Sequence, residues 1–202
     1  MKRYMTIICL TSWFLLTLMS CHADKKRGDD KQSMRSEVET GSEGLRSGEV
    51  TYTADGGWIK QQPSSPMRKD QFSLPGVSGA EAAELAVFFF PGGGGTVDAN
   101  LKRWYDQFKQ PDGSTTGNRA ELEKLKVNTL SVTTVYVTGT YLKSRSLMMM
   151  GGPVDELSDY ALLAAIAETA ESSWFFKATG PQQTIDHWRA RFGAFVQSFR
   201  VK

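Results

Sequence analysis

Few residues of this 202-residue chain have the chemistry that catalysis or metal binding usually requires. The chain has two histidines, His22 and His187, and two cysteines, Cys9 and Cys21. Only His187 falls in the aromatic-rich part of the chain that follows residue 48, so a histidine-ligated metal site or a Ser-His or Cys-His nucleophile has too few residues to form there. We therefore expect no metal, no cofactor and no enzymatic activity, with His187 exposed on a helix.

Four consecutive glycines join an apolar stretch to an expected helix start at Thr96; they are Gly92, Gly93, Gly94 and Gly95. Free backbone N–H groups at such a junction can hold an anion. The run lacks both the Lys-Ser or Lys-Thr ending of a phosphate-binding loop and the spaced glycines of a dinucleotide site. We expect a flexible connector that offers contact surface outside the core.

Three consecutive methionines, Met148, Met149 and Met150, precede Gly151. Thioether side chains adapt to irregular surfaces and are frequent at binding sites, but they also fill gaps in cores. Both interpretations remain open from the sequence. If the domain works by binding, these methionines and residues 92–95 are its candidate binding surface.

Acidic residues cluster after the methionines, at Asp155, Glu156 and Asp159. Carboxylate oxygens are the ligands that calcium prefers, but these three do not follow the spacing of an EF-hand loop. We expect a solvated loop here and no metal site.

The first 20 residues have the order of a secretory signal peptide. Lys2 and Arg3 precede an uncharged, mostly apolar stretch at residues 4–19, which is too short and too interrupted by Thr and Ser for a permanent span. The sequence LMSC at residues 18–21 resembles the lipobox of bacterial lipoproteins, in which an apolar and a small residue come before a cysteine. This resemblance implies cleavage before Cys21, lipidation of its thiol and attachment to a membrane.

The lipid on Cys21 would be the membrane anchor. Each buried methylene contributes about 0.8 kcal/mol, so two or three acyl chains would hold the protein for its lifetime. His22 stands where enteric lipoproteins that stay at the inner membrane have an aspartate. The resemblance therefore favours an outer-membrane location facing the periplasm.

Residues 21–48 are expected to form the lipidated cysteine and a disordered tether. The segment after Cys21 is rich in charge, Ser and Gly and has no Phe, Trp or Tyr, so it cannot bury enough apolar surface to offset its ordering entropy. Loss of Lys2 and Arg3 with the signal lowers the 24 basic residues to 22, equal to the 22 acidic residues. This neutral balance gives no indication of a nucleic-acid partner.

Residues 49–202 are expected to form a single α/β domain. From β-branched, aromatic and alternating patterns, strands are predicted at residues 50–53, 58–61, 67–74, 84–90, 130–141, 160–168 and 174–178. The fourth, ending in LAVFFF, is expected to be buried on both faces, and Gly139 is expected to form a bulge. Residues 160–168 could also be helical, but a turn and a following strand favour a hairpin.

Two amphipathic helices are predicted between and after these strands. The first begins at Thr96, ends near residue 110 and buries Val97, Leu101, Trp104 and Phe108. The second begins at Pro181 and buries Ile185, Trp188, Phe192, Val196 and Phe199. Both helices should pack against the sheet.

This order of elements, with the phrase WFFKATGP leading into the last helix, resembles the PsbP-like α/β/α sandwich. The segments LAVFFFPGGGGTVDANLKRWYDQFKQPDG and VTTVYVTGTY also resemble an uncharacterised family of bacterial envelope proteins, over about residues 55–200. The fold class implied is α+β, with an antiparallel sheet flanked by helices. The resemblance implies binding or assembly roles more than catalysis, by analogy of fold alone.

The sequence thus favours a non-enzymatic envelope lipoprotein that binds an envelope protein partner or supports assembly of a membrane complex. This interpretation is based on the expected lipid anchor on Cys21, the tether, and the absence of a catalytic motif. A periplasmic module that binds a small molecule or ion is the alternative, and an envelope hydrolase is a weaker one.

Overall fold

The structure is a computed structural model, and it describes residues 48–145 and 152–202. Within these residues the strands are β1 (Val50–Thr51), β2 (Ile59–Gln61), β3 (Arg68–Leu74), β4 (Ala83–Pro91), β5 (Phe108–Lys109), β6 (Glu121–Val127), β7 (Leu130–Ser144), β8 (Val154–Glu168), β9 (Ser172–Pro181) and β10 (Arg200–Val201). The helices are α1 (Val97–Tyr105) and α2 (Gln182–Gln197), and a single 3-10 turn spans Thr116–Asn118.

One antiparallel sheet organises the domain, in the order β2-β3-β4-β9-β8-β7. Both β5 and β6 pair with β7 beyond this order, at different positions along its length. A separate two-stranded sheet joins β1 to β10, so it brings the first and last described strands together.

The two helices lie on opposite faces of the sheet. In β8, the buried residues Leu162, Ala164 and Ile166 belong to one hydrophobic cluster, which also includes Leu101 and Trp104 of α1. The intervening residues Ala161, Leu163, Ala165 and Ala167 belong to the other cluster, with the apolar residues of α2. Since neighbouring residues of a strand face opposite sides, the arrangement is helix, sheet, helix. The predicted α+β class, an antiparallel sheet flanked by helices, is confirmed.

The sequence patterns located most elements correctly. Residues 160–168 are a strand, and a turn at Thr169–Ser172 connects this strand to β9. The predicted bulge is present at Gly139, where the register of β7 with β8 shifts. Thr96 caps α1 by accepting a hydrogen bond from the Ala99 N–H at 3.2 Å, and Pro181 stands at the N-cap position of α2 without a side-chain capping hydrogen bond. All four tryptophans of the domain are buried; they are Trp58, Trp104, Trp174 and Trp188.

The prediction for the end of α1 was wrong. The helix ends at Tyr105, and Phe108 pairs with Tyr141 as the first residue of β5. Phe108 nevertheless joins the same buried cluster as Leu101 and Trp104. Its apolar character therefore predicted burial correctly, but the chain reaches that cluster by turning into a strand.

Three further differences concern strands. Residues 50–53 and 58–61 were predicted as successive strands, but they do not pair with each other: β1 pairs with β10 and β2 pairs with β3. The solvated loop expected at Asp155, Glu156 and Asp159 is instead the first half of β8. Strand β6 was not predicted, since its residues ELEKLKV are mostly exposed and charged.

Candidate functional site

The glycine run predicted as contact surface lies in the turn between β4 and α1. Gly92, Gly93 and Gly95 are exposed, with φ values of 76°, 95° and 86° that favour glycine. The buried side chain of Asn100 donates to the carbonyls of Gly94, at 3.0 Å, and Thr96, at 2.9 Å, and so fixes the turn to the helix. The Gly92 N–H donates to the Glu171 carbonyl. This turn is an exposed surface with a defined conformation.

Two predicted sites lie outside the described residues: the lipidation site at Cys21, and Met148, Met149 and Met150. His187 is exposed on α2, beside the Trp188 ring, as expected. The residues 48–145 and 152–202 contain no cluster of His, Cys, Asp or Glu that could hold a metal ion. Asp155 and Glu156 form ion pairs with Arg145 and Lys109.

Five neighbouring strands place polar or aromatic side chains on the α1 side of the sheet, and two of these residues, Tyr141 and Tyr160, pack against the hydrophobic cluster that includes Leu101 and Trp104. We call this surface the Lys177 face; it consists of Arg68 on β3, Glu84 on β4, Lys177 on β9, Tyr160 on β8 and Tyr141 on β7. Arg68 Nη1 lies 2.8 Å from a Glu84 carboxylate oxygen. The rings of Tyr141 and Tyr160 are stacked, with centroids 6.0 Å apart.

Lys177 is the unusual member of this face, because it is half-buried on a central strand. Its neighbours across β9 are alanines on both sides, Ala86 and Ala164, which leave room for its side chain. Its Nζ donates to Gln107 Oε1 at 2.6 Å and lies 5.9 Å from the centroid of the Tyr141 ring. Burial lowers the pKa of Lys177 to about 8, with Glu84 opposing and Arg68 adding to the shift.

A groove lies on the opposite, α2 side of the sheet. It runs between α2 and the edge strand β6, has a volume of about 340 Å³, and is called the α2–β6 groove below. Its apolar lining comes from Leu125 on β6, Leu163 on β8, and Phe192 and Val196 on α2. Glu123 and Gln197 are exposed residues that line it.

Charged and polar side chains bridge the two walls of the α2–β6 groove at one end. Arg189 of α2 forms an ion pair with Glu121 of β6, and its guanidinium carbon lies 4.1 Å from the centroid of the Tyr136 ring. The Tyr136 hydroxyl donates to Asp186. Burial raises the pKa of Tyr136 well above its usual range, so this hydroxyl remains a donor at physiological pH.

Gly193 lies in the interior of α2 and lines this groove. Glycine destabilises a helix interior by about 0.5–1 kcal/mol relative to alanine. Close packing does not require glycine here, because a Cβ at this position would have no atom within 4 Å. The missing side chain therefore leaves open space in the wall of the groove.

The sequence patterns did not identify either surface. The one sequence feature that indicates Lys177 is its charge within the otherwise uncharged, aromatic segment WFFKATGP. In the strand, Lys177 faces the same side as Phe175. The ion pair between Glu121 and Arg189 spans 68 positions and has no local signal.

No family model and no curated protein matches this chain. A protein of unknown function from Pseudomonas aeruginosa is similar at a TM-score of 0.45 and 11% identity, covering 77% of this chain and 99% of that one. Cyanobacterial PsbP from Synechocystis is similar at a TM-score of 0.43 and 17% identity, covering 80% of this chain and 96% of that one.

Among residues 48–145 and 152–202, no helix is both long and apolar enough to cross a bilayer.

Proposed function

We propose that this chain is a membrane-anchored lipoprotein of the bacterial envelope whose folded domain binds a protein partner and does not turn over a substrate. The lipid is attached to Cys21, and the domain faces the periplasm from the outer membrane. The observation that supports binding is the α2–β6 groove, with its apolar lining and its open wall at Gly193.

The dimensions of the groove favour side chains of a partner over a large ligand. Its volume of about 340 Å³ is near the lower end of the roughly 300–1,000 Å³ typical of ligand sites. Apolar contacts from Leu125, Phe192 and Val196 would bury one or two aliphatic side chains there, which is how a small interface gains most of its free energy.

The strand β6 beside the groove adds a second mode of contact. Within the described residues β6 pairs only with β7, so its outer edge presents backbone N–H and C=O groups. An extended segment of a partner can pair with such an edge while its alternate side chains enter an adjacent groove. Charged residues along β6, such as Glu123 and Lys124, discourage pairing between copies of the same strand.

The proposal predicts that filling the groove abolishes partner binding. Gly193→Leu places a side chain in the open space without a clash, and it should keep or raise helix stability. The neighbouring Ala194 is also exposed on α2 but does not line the groove, so Ala194→Leu is the matched control. A photo-reactive amino acid at position 197 reports contact inside living cells.

We expect defined crosslinked protein species from position 197 in the parent chain and in Ala194→Leu, and their loss in Gly193→Leu at an unchanged melting temperature. Crosslinks that are equally strong in both leucine variants would show that the groove is not the contact site.

Anchoring is tested separately by metabolic labelling with a palmitate analogue. The parent chain should be labelled and recovered with membranes, whereas Cys21→Ala should lose the label. Equal labelling of both proteins, or recovery of the parent chain wholly in the soluble periplasm, would contradict lipidation at Cys21.

A further inference from the structure

The charges of the edge strand β6 are divided between its two faces. Glu123 lines the α2–β6 groove, on the same side as Leu125, which packs against the cluster around α2. Lys124 and Lys126 face the other side, because neighbouring residues of a strand point in opposite directions. All three charged side chains are exposed. The strand is therefore acidic on the groove side and basic on the α1 side.

These three charges have no ion-pair partner in the described ranges 48–145 and 152–202. None of the ion pairs formed there includes Glu123, Lys124 or Lys126. Lys126 donates to the Ser131 hydroxyl at 3.3 Å. The residues that pair with the three across β7 are uncharged; they are Thr134, Thr133 and Ser131.

Other charges near β6 do not take this role. Arg189 lines the same groove, but it forms an ion pair with Glu121. Glu168 pairs with Ser131 and so lies on β8, beyond β7. Opposite charges on directly paired residues stabilise a sheet, whereas like charges destabilise it. Among the described residues, the open pairing positions of β6 are those along its outer edge.

We infer that the partner segment that pairs with β6 is an antiparallel strand with the order acidic, aliphatic, acidic, basic from its N-terminal side. The inference rests on the proposed function and specifies the segment that the α2–β6 groove binds. The acidic residues lie opposite Lys126 and Lys124, and the basic residue lies opposite Glu123. The aliphatic residue lies opposite Leu125, on the groove side.

The direction of the added strand follows from the sheet. Every strand pair that the structure describes is antiparallel, and antiparallel pairing is slightly more stable per residue than parallel pairing. In this direction the residue opposite Lys126 comes first and the residue opposite Glu123 comes last.

Two synthetic peptides with a fluorescent label test the charge order. The peptide TELEKVT has this order at its second to fifth positions, and TKLKEVT has the same apolar residues with every charge inverted. Each is titrated with the full chain in non-ionic detergent at low salt, with micelles alone as the blank, and fluorescence anisotropy measures binding. Three favourable charge pairs in place of three unfavourable ones should make TELEKVT bind about tenfold more tightly or better.

A charge-swapped chain locates the effect. It combines Glu123→Lys, Lys124→Glu and Lys126→Glu, which alter exposed side chains, and it should prefer TKLKEVT. Lys69→Glu is the matched control, because it changes the net charge by the same amount at an exposed position of β3, near the other edge of the sheet. It should keep the preference of the parent chain. Gly193→Leu should weaken both peptides, because it fills the groove beside their leucine.

Equal or reversed affinities of the parent chain, no saturable binding of either peptide, or an unchanged preference in the charge-swapped chain would overturn the inference. If the melting temperature shows that the charge-swapped chain does not fold, Glu123→Lys alone against Lys69→Glu decides the question by the same criterion. The crosslinks from position 197 judge the proposed function separately. Crosslinks that Gly193→Leu removes, together with equal peptide affinities, would leave partner binding in place and reject only the charge order.

Discussion

At the scale of single residues, Lys177 shows how a strand of the core can contain a charge. Cross-strand alanines, Ala86 and Ala164, provide space for its side chain, and Gln107 reaches it from the end of α1. The lysine is held in an environment that favours its neutral form, because burial lowers its pKa to about 8. Arg68, Glu84 and Tyr141 are the other titratable groups that face it.

This lowered pKa predicts a specific dependence of stability on pH. The unfolded chain has a lysine pKa of about 10.4, so between pH 8 and that value it binds more protons at Lys177 than the folded chain does. The free energy of unfolding should therefore rise with pH in this window. Relative to Lys177→Met, the parent chain should gain about 1–2 kcal/mol between pH 7.5 and 9.5.

Urea unfolding of both proteins across this pH range measures the difference. Comparing the two cancels the contributions of groups that they share, including tyrosines whose pKa values burial raises. Parallel curves for the parent chain and Lys177→Met would show that Lys177 titrates normally.

The sequence could not predict this site, for a reason that applies to polar clusters generally. Sequence patterns describe which elements form and which of their residues are buried, and they located the strand at residues 174–178 correctly. They do not give the register between strands. The partners of Lys177 lie 70 positions away at Gln107 and farther at Glu84, and only the pairing of β4 with β9 brings the latter near.

At the scale of elements, the helices and strands that are most completely buried are the ones that the sequence predicted correctly. Helix α2 and strand β8 have strong patterns because their apolar residues meet the core, and Phe192 is 2% exposed as predicted. Strand β6 is at an edge, where charged side chains replace the apolar ones that would have identified it. The end of α1 was missed because burial of Phe108 is compatible with either a helix or a strand.

The bulge in β7 leads to a prediction about Gly139. Its φ of 147° is unfavourable for other residues, and a Cβ there would lie 2.6 Å from the Lys109 carbonyl oxygen, in β5. Gly139→Ala should therefore destabilise the domain by about 2 kcal/mol or more, through strain and through displacement of β5. Urea unfolding measures this loss.

Gly113→Ala is the matched control, because Gly113 also has a positive φ, of 72°, but a Cβ there meets no atom within 4 Å. It should cost about 1 kcal/mol from backbone strain alone. If Gly139→Ala were no more destabilising than Gly113→Ala, the close approach of β5 to the bulge would not limit the side chain at position 139, and the prediction would be wrong.

At the scale of the whole domain, the two ends of the described chain are joined. Val50 and Thr51 pair with Val201 and Arg200. The Gly48 carbonyl accepts hydrogen bonds from the Trp174 Nε1, at 3.0 Å, and the Ser172 hydroxyl, at 3.1 Å. The segment that leads into the domain is thus part of its core. We therefore expect the domain to fold without lipid, metal or disulfide only when this segment is kept.

Tyr52 is the principal side chain of this segment. Its ring makes edge contacts with Phe176, at 5.2 Å between centroids, and with Phe195, at 5.4 Å, and its hydroxyl donates to Asp70 on β3. Burial raises the pKa of this hydroxyl well above its usual range, so the hydrogen bond persists at neutral pH. Tyr52 therefore connects the first segment, the sheet and α2.

Two truncated chains test this arrangement. A chain of residues 48–202 should fold cooperatively in the absence of lipid and metal. A chain of residues 53–202 lacks the Gly48 carbonyl, the buried Val50 and the partly buried ring of Tyr52, and it leaves Trp174 Nε1 without its acceptor. Removing apolar side chains from a core costs several kcal/mol, and an unsatisfied buried donor adds to this. The shorter chain should therefore unfold at a much lower urea concentration or fail to fold.

Equal urea midpoints for the two chains would show that residues 48–52 contribute nothing to the core. Failure of the longer chain to fold would contradict the prediction that the domain folds independently.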